Sequence, residues 1–130
     1  MIKYPNKRKP KSISKLLKEA QQVFNKWVRN RDSDTLTFTC ISCKQVNHIN
    51  QMDAGHYVPQ HGGSYLRYHE WNVNGECKRC NCFDEFHLIG YRKNLIEKIG
   101  EKNVTWLEEN RHMVKKWSRS ELEEIIKKYS

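Results

Sequence analysis

Cys40-Ile41-Ser42-Cys43 and Cys77-Lys78-Arg79-Cys80 are two C-x2-C knuckles. Together they supply four thiolates, the number a tetrahedral structural zinc takes at about 2.3 Å each. The spacing therefore predicts one structural Zn²⁺ held by Cys40, Cys43, Cys77 and Cys80, with Cys82 left over. A redox C-x2-C would need only one pair, beside a βαβ pattern that this chain lacks. Five cysteines, an odd number, with no apolar leader of the secretory type argue against a disulfide framework.

Thr35-Leu36-Thr37-Phe38-Thr39 is β-branched and alternating, so a strand is expected to deliver Cys40. The 33 residues from 44 to 76 are more than common four-cysteine modules place between their knuckles, so something is built inside the metal loop. Val46 to Ile49 and Met52 to Val58 predict a hairpin around Asn50-Gln51, and Pro59, Gly62 and Gly63 mark an exposed loop. Residues 78 to about 89 read as a weak helix that Gly90 breaks before a further helical stretch, Tyr91 to Ile99, which Gly100 ends. Upstream, Ile13, Leu16, Leu17, Ala20, Val23, Phe24, Trp27 and Val28 fall at helical spacing from Ser12 to about Arg31. Downstream, one helix is expected near Val104 to Trp117, with Thr105 and Glu108 in capping-box spacing, and another from about Ser120, with Glu123 three residues on. Trp27, Trp106 and Trp117 are expected core anchors.

The result is an α+β reading: a zinc-clamped ββα core over residues 35–90, an N-terminal helix over 12–31, and C-terminal helices over 91–130. It forms one domain, 12–130, behind a flexible arm, 1–11. Charged residues at 30%, against 37% hydrophobic, and a mean hydropathy of −0.93 leave little apolar material for a core, which is why a metal staple is expected. No stretch approaches the ~18 apolar residues of a membrane span, so a soluble, cytoplasmic protein without a membrane partner is expected. The net charge of +9 is concentrated at one end. Residues 1–31 carry ten basic side chains and a single acid, Glu19, and the remainder is balanced. Lys3, Lys7, Arg8, Lys9 and Lys11 form a basic arm of the kind that tracks a phosphate backbone, which points to DNA as the partner.

His56-Tyr57-Val58-Pro59, then Gly62-Gly63, then Asn72, then Cys77-Lys78-Arg79-Cys80-Asn81 resembles the HNH (ββα-metal) endonucleases, in particular their zinc-stapled, junction-cutting phage kind with its treble-clef-like core. More narrowly, Asp53-Ala54-Gly55-His56, Leu66-Arg67-Tyr68 with Glu70 and Asn72-Val73, the Cys-x2-Cys-Asn end, and Tyr91-Arg92 with Leu95-Ile96 and Gly100 resemble the phage NinG (Rap) recombination endonucleases. The resemblance covers about residues 38–100. By spacing it equates Asn72 with the middle asparagine of the HNH motif, whose expected duty is to hold the loop and the catalytic base.

Hydrolysing a phosphodiester requires a base for water and a cation for the charge that builds on the phosphate and the leaving 3′-oxygen. An imidazole suits the first task near neutral pH, which makes His56 the expected base. Mg²⁺ or Mn²⁺ takes hard oxygen ligands, for which Asp53 and Asn81 are the candidates. Asp53 departs from the family pattern, in which an acid immediately precedes the histidine; Gly55 stands there instead. In a strand, residues 53 and 55 share a face about 6.6 Å apart, a gap that a bulge at Gly55 could close. Asp84 and Glu85 share a helical face with Asn81, whereas His87 lies about 120° away unless the helix distorts; any of the three could complete the site.

The resemblance thus implies a metal-dependent endodeoxyribonuclease acting on branched intermediates such as Holliday junctions or D-loops, leaving a 5′-phosphate and a 3′-hydroxyl. Symmetric junction cutting needs two active sites, so a homodimer is compatible with this reading. The alternative from another class is a non-catalytic zinc DNA-binding module. His56 and Asn81 discriminate between them, because a binder needs neither.

Overall fold

The computed structural model describes residues 9–130, so Lys3, Lys7 and Arg8 lie outside the described residues. Ser12 caps the first helix, α1 (Ile13–Arg31), by accepting a hydrogen bond from the Lys15 N–H. The apolar stripe Leu16, Ala20, Phe24 and Val28 is buried. It packs against the last helix, α4 (Arg119–Tyr129), through Leu122 and Tyr129, and against Tyr68 and Val73. Ser118 caps α4 in a reciprocal box with Glu121, so the expected box at Ser120 and Glu123 is displaced by two residues.

Four short strands make two separate antiparallel pairs: β1 (Thr37–Thr39) with β2 (Val46–His48), and β3 (Met52–His56) with β4 (Val73–Cys77). The hairpin expected between 46–49 and 52–58 therefore does not form. A 3₁₀ turn at Ile49–Gln51 lies between β2 and β3, and each strand pairs elsewhere. The β1–β2 hairpin carries the first knuckle at its tip, where Lys44 takes a positive φ of 62° to close the turn. In the second pair Asp53 opposes Glu76, Gly55 opposes Asn74, and His56 opposes Val73. All five residues of β4 are buried.

Residues 78 to 89 do not form a continuous helix. A π-helical turn, Arg79–Phe83, ends in extended backbone at Asp84, and α2 (His87–Ile99) starts afresh. Gly90 lies inside α2, where the lack of a side chain lets the helix pass close to the Ser42 carbonyl; a Cβ would overlap that oxygen. Gly100, at φ +89°, ends α2 as the glycine pattern predicts. The third helix, α3 (Glu101–Glu109), is shorter than expected and begins before Thr105, so Thr105 and Glu108 do not cap it.

A second core joins α2 and α3 to the loop after β3 through Tyr91, Leu95, Val104, Leu107, Val58 and Leu66. The third is small: Phe38 and Met52 pack around Cys40, Cys77 and Cys80. Trp27 flanks the first core from α1 and Trp106 the second from α3, as their helical spacing predicts; Trp117 also packs on the first core, but from the segment between α3 and α4, outside any helix.

Candidate active site

The four knuckle cysteines converge. The sulfur atoms of Cys40, Cys43, Cys77 and Cys80 all lie within 4.8 Å of one another, and three of the residues are buried. This all-thiol set fits a soft divalent metal such as zinc. Burial raises the Cys40 thiol to about 11, and burial with the neighbouring thiols raises Cys80 as well. Cys43 is held low: burial opposes ionisation there, but the Gln45 N–H and the surrounding thiols outweigh it. Cys82 lies outside the cluster, exposed, with its sulfur 3.7 Å from Asp53.

His56 ends β3 and borders an open cleft of about 490 Å³ whose wall also includes Ala54, Gln60, Asn81 and His87. Its Nε2 lies 3.0 Å from the Arg67 carbonyl oxygen. Gln60 Nε2 also approaches this nitrogen, at 3.3 Å; the shorter contact is to an oxygen that only accepts, which favours the ring proton on Nε2 and a basic Nδ1. Burial pushes the His56 pKa below its ordinary value; the Arg67 carbonyl opposes the shift and the Arg67 guanidinium adds to it.

Asn72 is fully buried and closes the loop between β3 and β4. Its Oδ1 accepts from the Val58 N–H at 2.8 Å, while Nδ2 donates to the carbonyls of Val58 and Leu66 at 3.0 and 3.2 Å. It touches the cleft only through the loop that it holds.

Asn81 sits on the π-helical turn and lines the cleft. Its Nδ2 donates to Asp53 Oδ2 at 3.1 Å, which leaves its carbonyl oxygen as a group that could hold a hard cation. Asp53 is thus next to Asn81, but it does not line the cleft, and Lys78 Nζ reaches its other oxygen at 2.7 Å. Lys78 and Asn81 hold the Asp53 carboxyl below its usual value against the opposing effect of partial burial. β3 shows no bulge at Gly55 that would carry Asp53 further toward the histidine.

The broken helix decides among the other candidates. Asp84 and Glu85 are exposed, and Asp84 Oδ1 accepts from the Phe86 N–H. His87, displaced in an ideal helix, is brought round by the π turn to the cleft that holds His56 and Asn81.

Sequence reasoning missed Glu76. It is fully buried on β4, and its Oε2 receives both the Ser42 hydroxyl and, at 2.6 Å, His87 Nδ1. Its only sequence signal is an acid one residue before Cys77, and nothing local marks that acid as buried.

The basic arm is described only in part. Lys9 is exposed, whereas Lys11 pairs with Glu19 at 2.6 Å and its carbonyl accepts from Arg119, so Lys11 is docked on the helices rather than free. Arg31 is spent inside the fold on the Glu70 and Val73 carbonyls.

Fold and site define a small α+β protein, built on a four-cysteine cluster that could hold a metal, with three histidines, His56, His61 and His87, and an asparagine around one cleft. The family model described as Bacteriophage Lambda NinG protein matches residues 3–130, and the chain belongs to this family. It is 37% identical over 121 residues to Protein ninG of Escherichia phage 933W, covering 93% of this chain and 57% of that relative. Protein ninG of Escherichia phage lambda and of Salmonella phage P22 are each 36% identical over 121 residues, 93% of this chain and 56% of theirs. The chain therefore spans a little over half the length of these relatives. No solved structure matches it. Among the described residues no helix is long and apolar enough to cross a membrane.

Proposed function

We propose that the chain is a metal-dependent endodeoxyribonuclease of the HNH kind that acts on branched DNA, with a structural zinc in the cysteine cluster and Mg²⁺ or Mn²⁺ at the cleft. The observation that carries this reading is the common cleft of His56, Asn81 and His87, immediately beside the second knuckle. A zinc module that only bound DNA would have no use for a histidine with a free, basic nitrogen next to candidate hard-cation ligands.

In this mechanism His56 Nδ1 takes a proton from the attacking water while the Arg67 carbonyl holds the ring in orientation. Asn72 fixes the loop that carries Val58, two residues beyond His56, and so keeps the base in place. Asn81 offers its carbonyl oxygen to the cation. When bound, the divalent ion would stabilise charge on the phosphate and the leaving 3′-oxygen, giving a 5′-phosphate and a 3′-hydroxyl. Lys3, Lys7, Arg8 and Lys9 would add phosphate contacts outside the site.

The test is a nicking assay on four-way and linear DNA with Mg²⁺ or Mn²⁺. His56→Ala is expected to lower turnover by roughly 10²–10⁴-fold, the range of general-base help, while DNA binding stays near wild type. If wild type never cuts branched DNA, or His56→Ala cuts as fast as wild type, the zinc DNA-binding module takes the place of the nuclease.

A further inference from the structure

The carboxylate of Glu76 has one oxygen too few partners. Oε2 is engaged by Ser42 and His87, but Oε1 is enclosed with no hydrogen-bond donor. A fully buried carboxylate in this state is costly, and such an unpaired atom calls for an ion or water that completes it. The backbone around it is shaped to receive the group. Gly55 lies diagonally across the β3–β4 pair, and a Cβ at Gly55 would overlap Oε1. The space that a side chain before His56 would fill is thus taken by Glu76 from the neighbouring strand.

His87 is the second half of the arrangement. Its Nδ1 is 2.6 Å from Oε2, yet the residue also lines the cleft that His56 and Asn81 share. The pair therefore spans the distance from a buried carboxylate to the open site. Asp53, by contrast, already has the Lys78 ammonium on one oxygen and Asn81 on the other.

We propose that Glu76 and His87 form the hard-cation site of this cleft, in place of Asp53. The donor set, one carboxylate and one imidazole with the Asn81 amide oxygen beside them in the cleft and the remaining positions open to water or phosphate, suits Mn²⁺, which accepts mixed oxygen and nitrogen ligands. Without the cation, the imidazole N–H takes over part of its role toward the carboxylate. The use of this site in cutting rests on the nuclease reading; the binding of the cation does not.

The experiment is a titration of the whole 130-residue chain, loaded with zinc, with Mn²⁺, read by the electron paramagnetic resonance signal of free Mn²⁺. Zinc content and the thermal melt serve as controls for folding. Glu76→Gln and His87→Ala are each expected to weaken Mn²⁺ binding by at least about tenfold, with zinc retained and Asp53→Asn within about twofold of wild type. Wild-type protein that binds no Mn²⁺ up to millimolar concentration overturns the proposal, as does unchanged affinity in either Glu76→Gln or His87→Ala. If Glu76→Gln loses its zinc, His87→Ala decides alone, since His87 opens α2 at the surface of the cleft. A wild type that binds Mn²⁺ at Glu76 and His87 but never nicks branched DNA refutes the nuclease reading and upholds the cation site.

Discussion

Asn72 holds both backbone groups of Val58, accepting from its N–H at 2.8 Å and donating to its carbonyl at 3.0 Å, across a separation of 14 residues. This one amide closes the loop that follows His56. Asn72→Ala would strand those buried groups, at about 1–3 kcal/mol for each left unpaired. The variant is expected to melt well below wild type and to cut slowly, with no rescue by excess Mg²⁺. Asn72→Asp keeps the acceptor but sets a buried carboxylate oxygen against the Val58 and Leu66 carbonyls, so it should melt no higher than Asn72→Ala. Restoration of Asn72→Ala by metal alone would assign Asn72 to the cation instead.

The cysteine cluster predicts about one zinc per chain by elemental analysis. Phe38 and Met52 pack directly on these cysteines, so chelation should unfold the knuckle region in circular dichroism. Cys82→Ser should retain the zinc, since Cys82 lies outside the cluster. Zinc-free protein with an unchanged melt would remove the metal from the fold.

The pH dependence has a definite sign. Burial, the largest influence, sets the His56 pKa below its ordinary 6.5, so the imidazole is mostly neutral at pH 7, the form the proposed base requires. Turnover should be flat above about 6.5 and fall only as the pH drops through the lowered value, when the base is protonated. Stability follows the same course. The contribution from keeping His56 neutral is full above its unfolded pKa and is lost as the pH falls through the folded one. Burial lowers His69 too, so the His56 share is the difference between wild type and His56→Ala in pH-dependent melts. An acid limb centred above 6.5 would point to a different base.

Deleting residues 1–9 removes Lys3, Lys7, Arg8 and Lys9 and leaves the Lys11–Glu19 pair intact. If all four touch phosphate, the log–log salt slope of duplex binding should flatten by up to about 3.6, at ~0.9 per contact. Turnover on saturating substrate should be unchanged. Lys11→Ala should flatten the slope by less than one contact, because its charge is already partly neutralised. A slope that does not respond to the deletion would make the arm a solubility tail.

Interactions that are local in the chain were legible without the fold. The helical stripe from Leu16 to Val28 predicts α1 to within a residue, because a helix is set by contacts three and four residues apart. The paired knuckles carry the cysteine cluster in their spacing, since a tetrahedral ligand set needs four thiols wherever the chain goes between them. His56, Asn72 and Asn81 are candidates through the resemblance to the family motif; the structure brings His56 and Asn81 to one cleft and sets Asn72 in the loop behind it, while their catalytic duties belong to the proposal. What tertiary structure alone decided were the long-range pairings. Val73-Asn74-Gly75-Glu76-Cys77 does not alternate, because both of its faces are covered, so its polar residues conceal a buried strand. Only the register against β3 places Glu76 over Gly55, and only the π turn brings His87 to Glu76 and the cleft. These are relations between segments packed against one another in space, and no period within either segment records them.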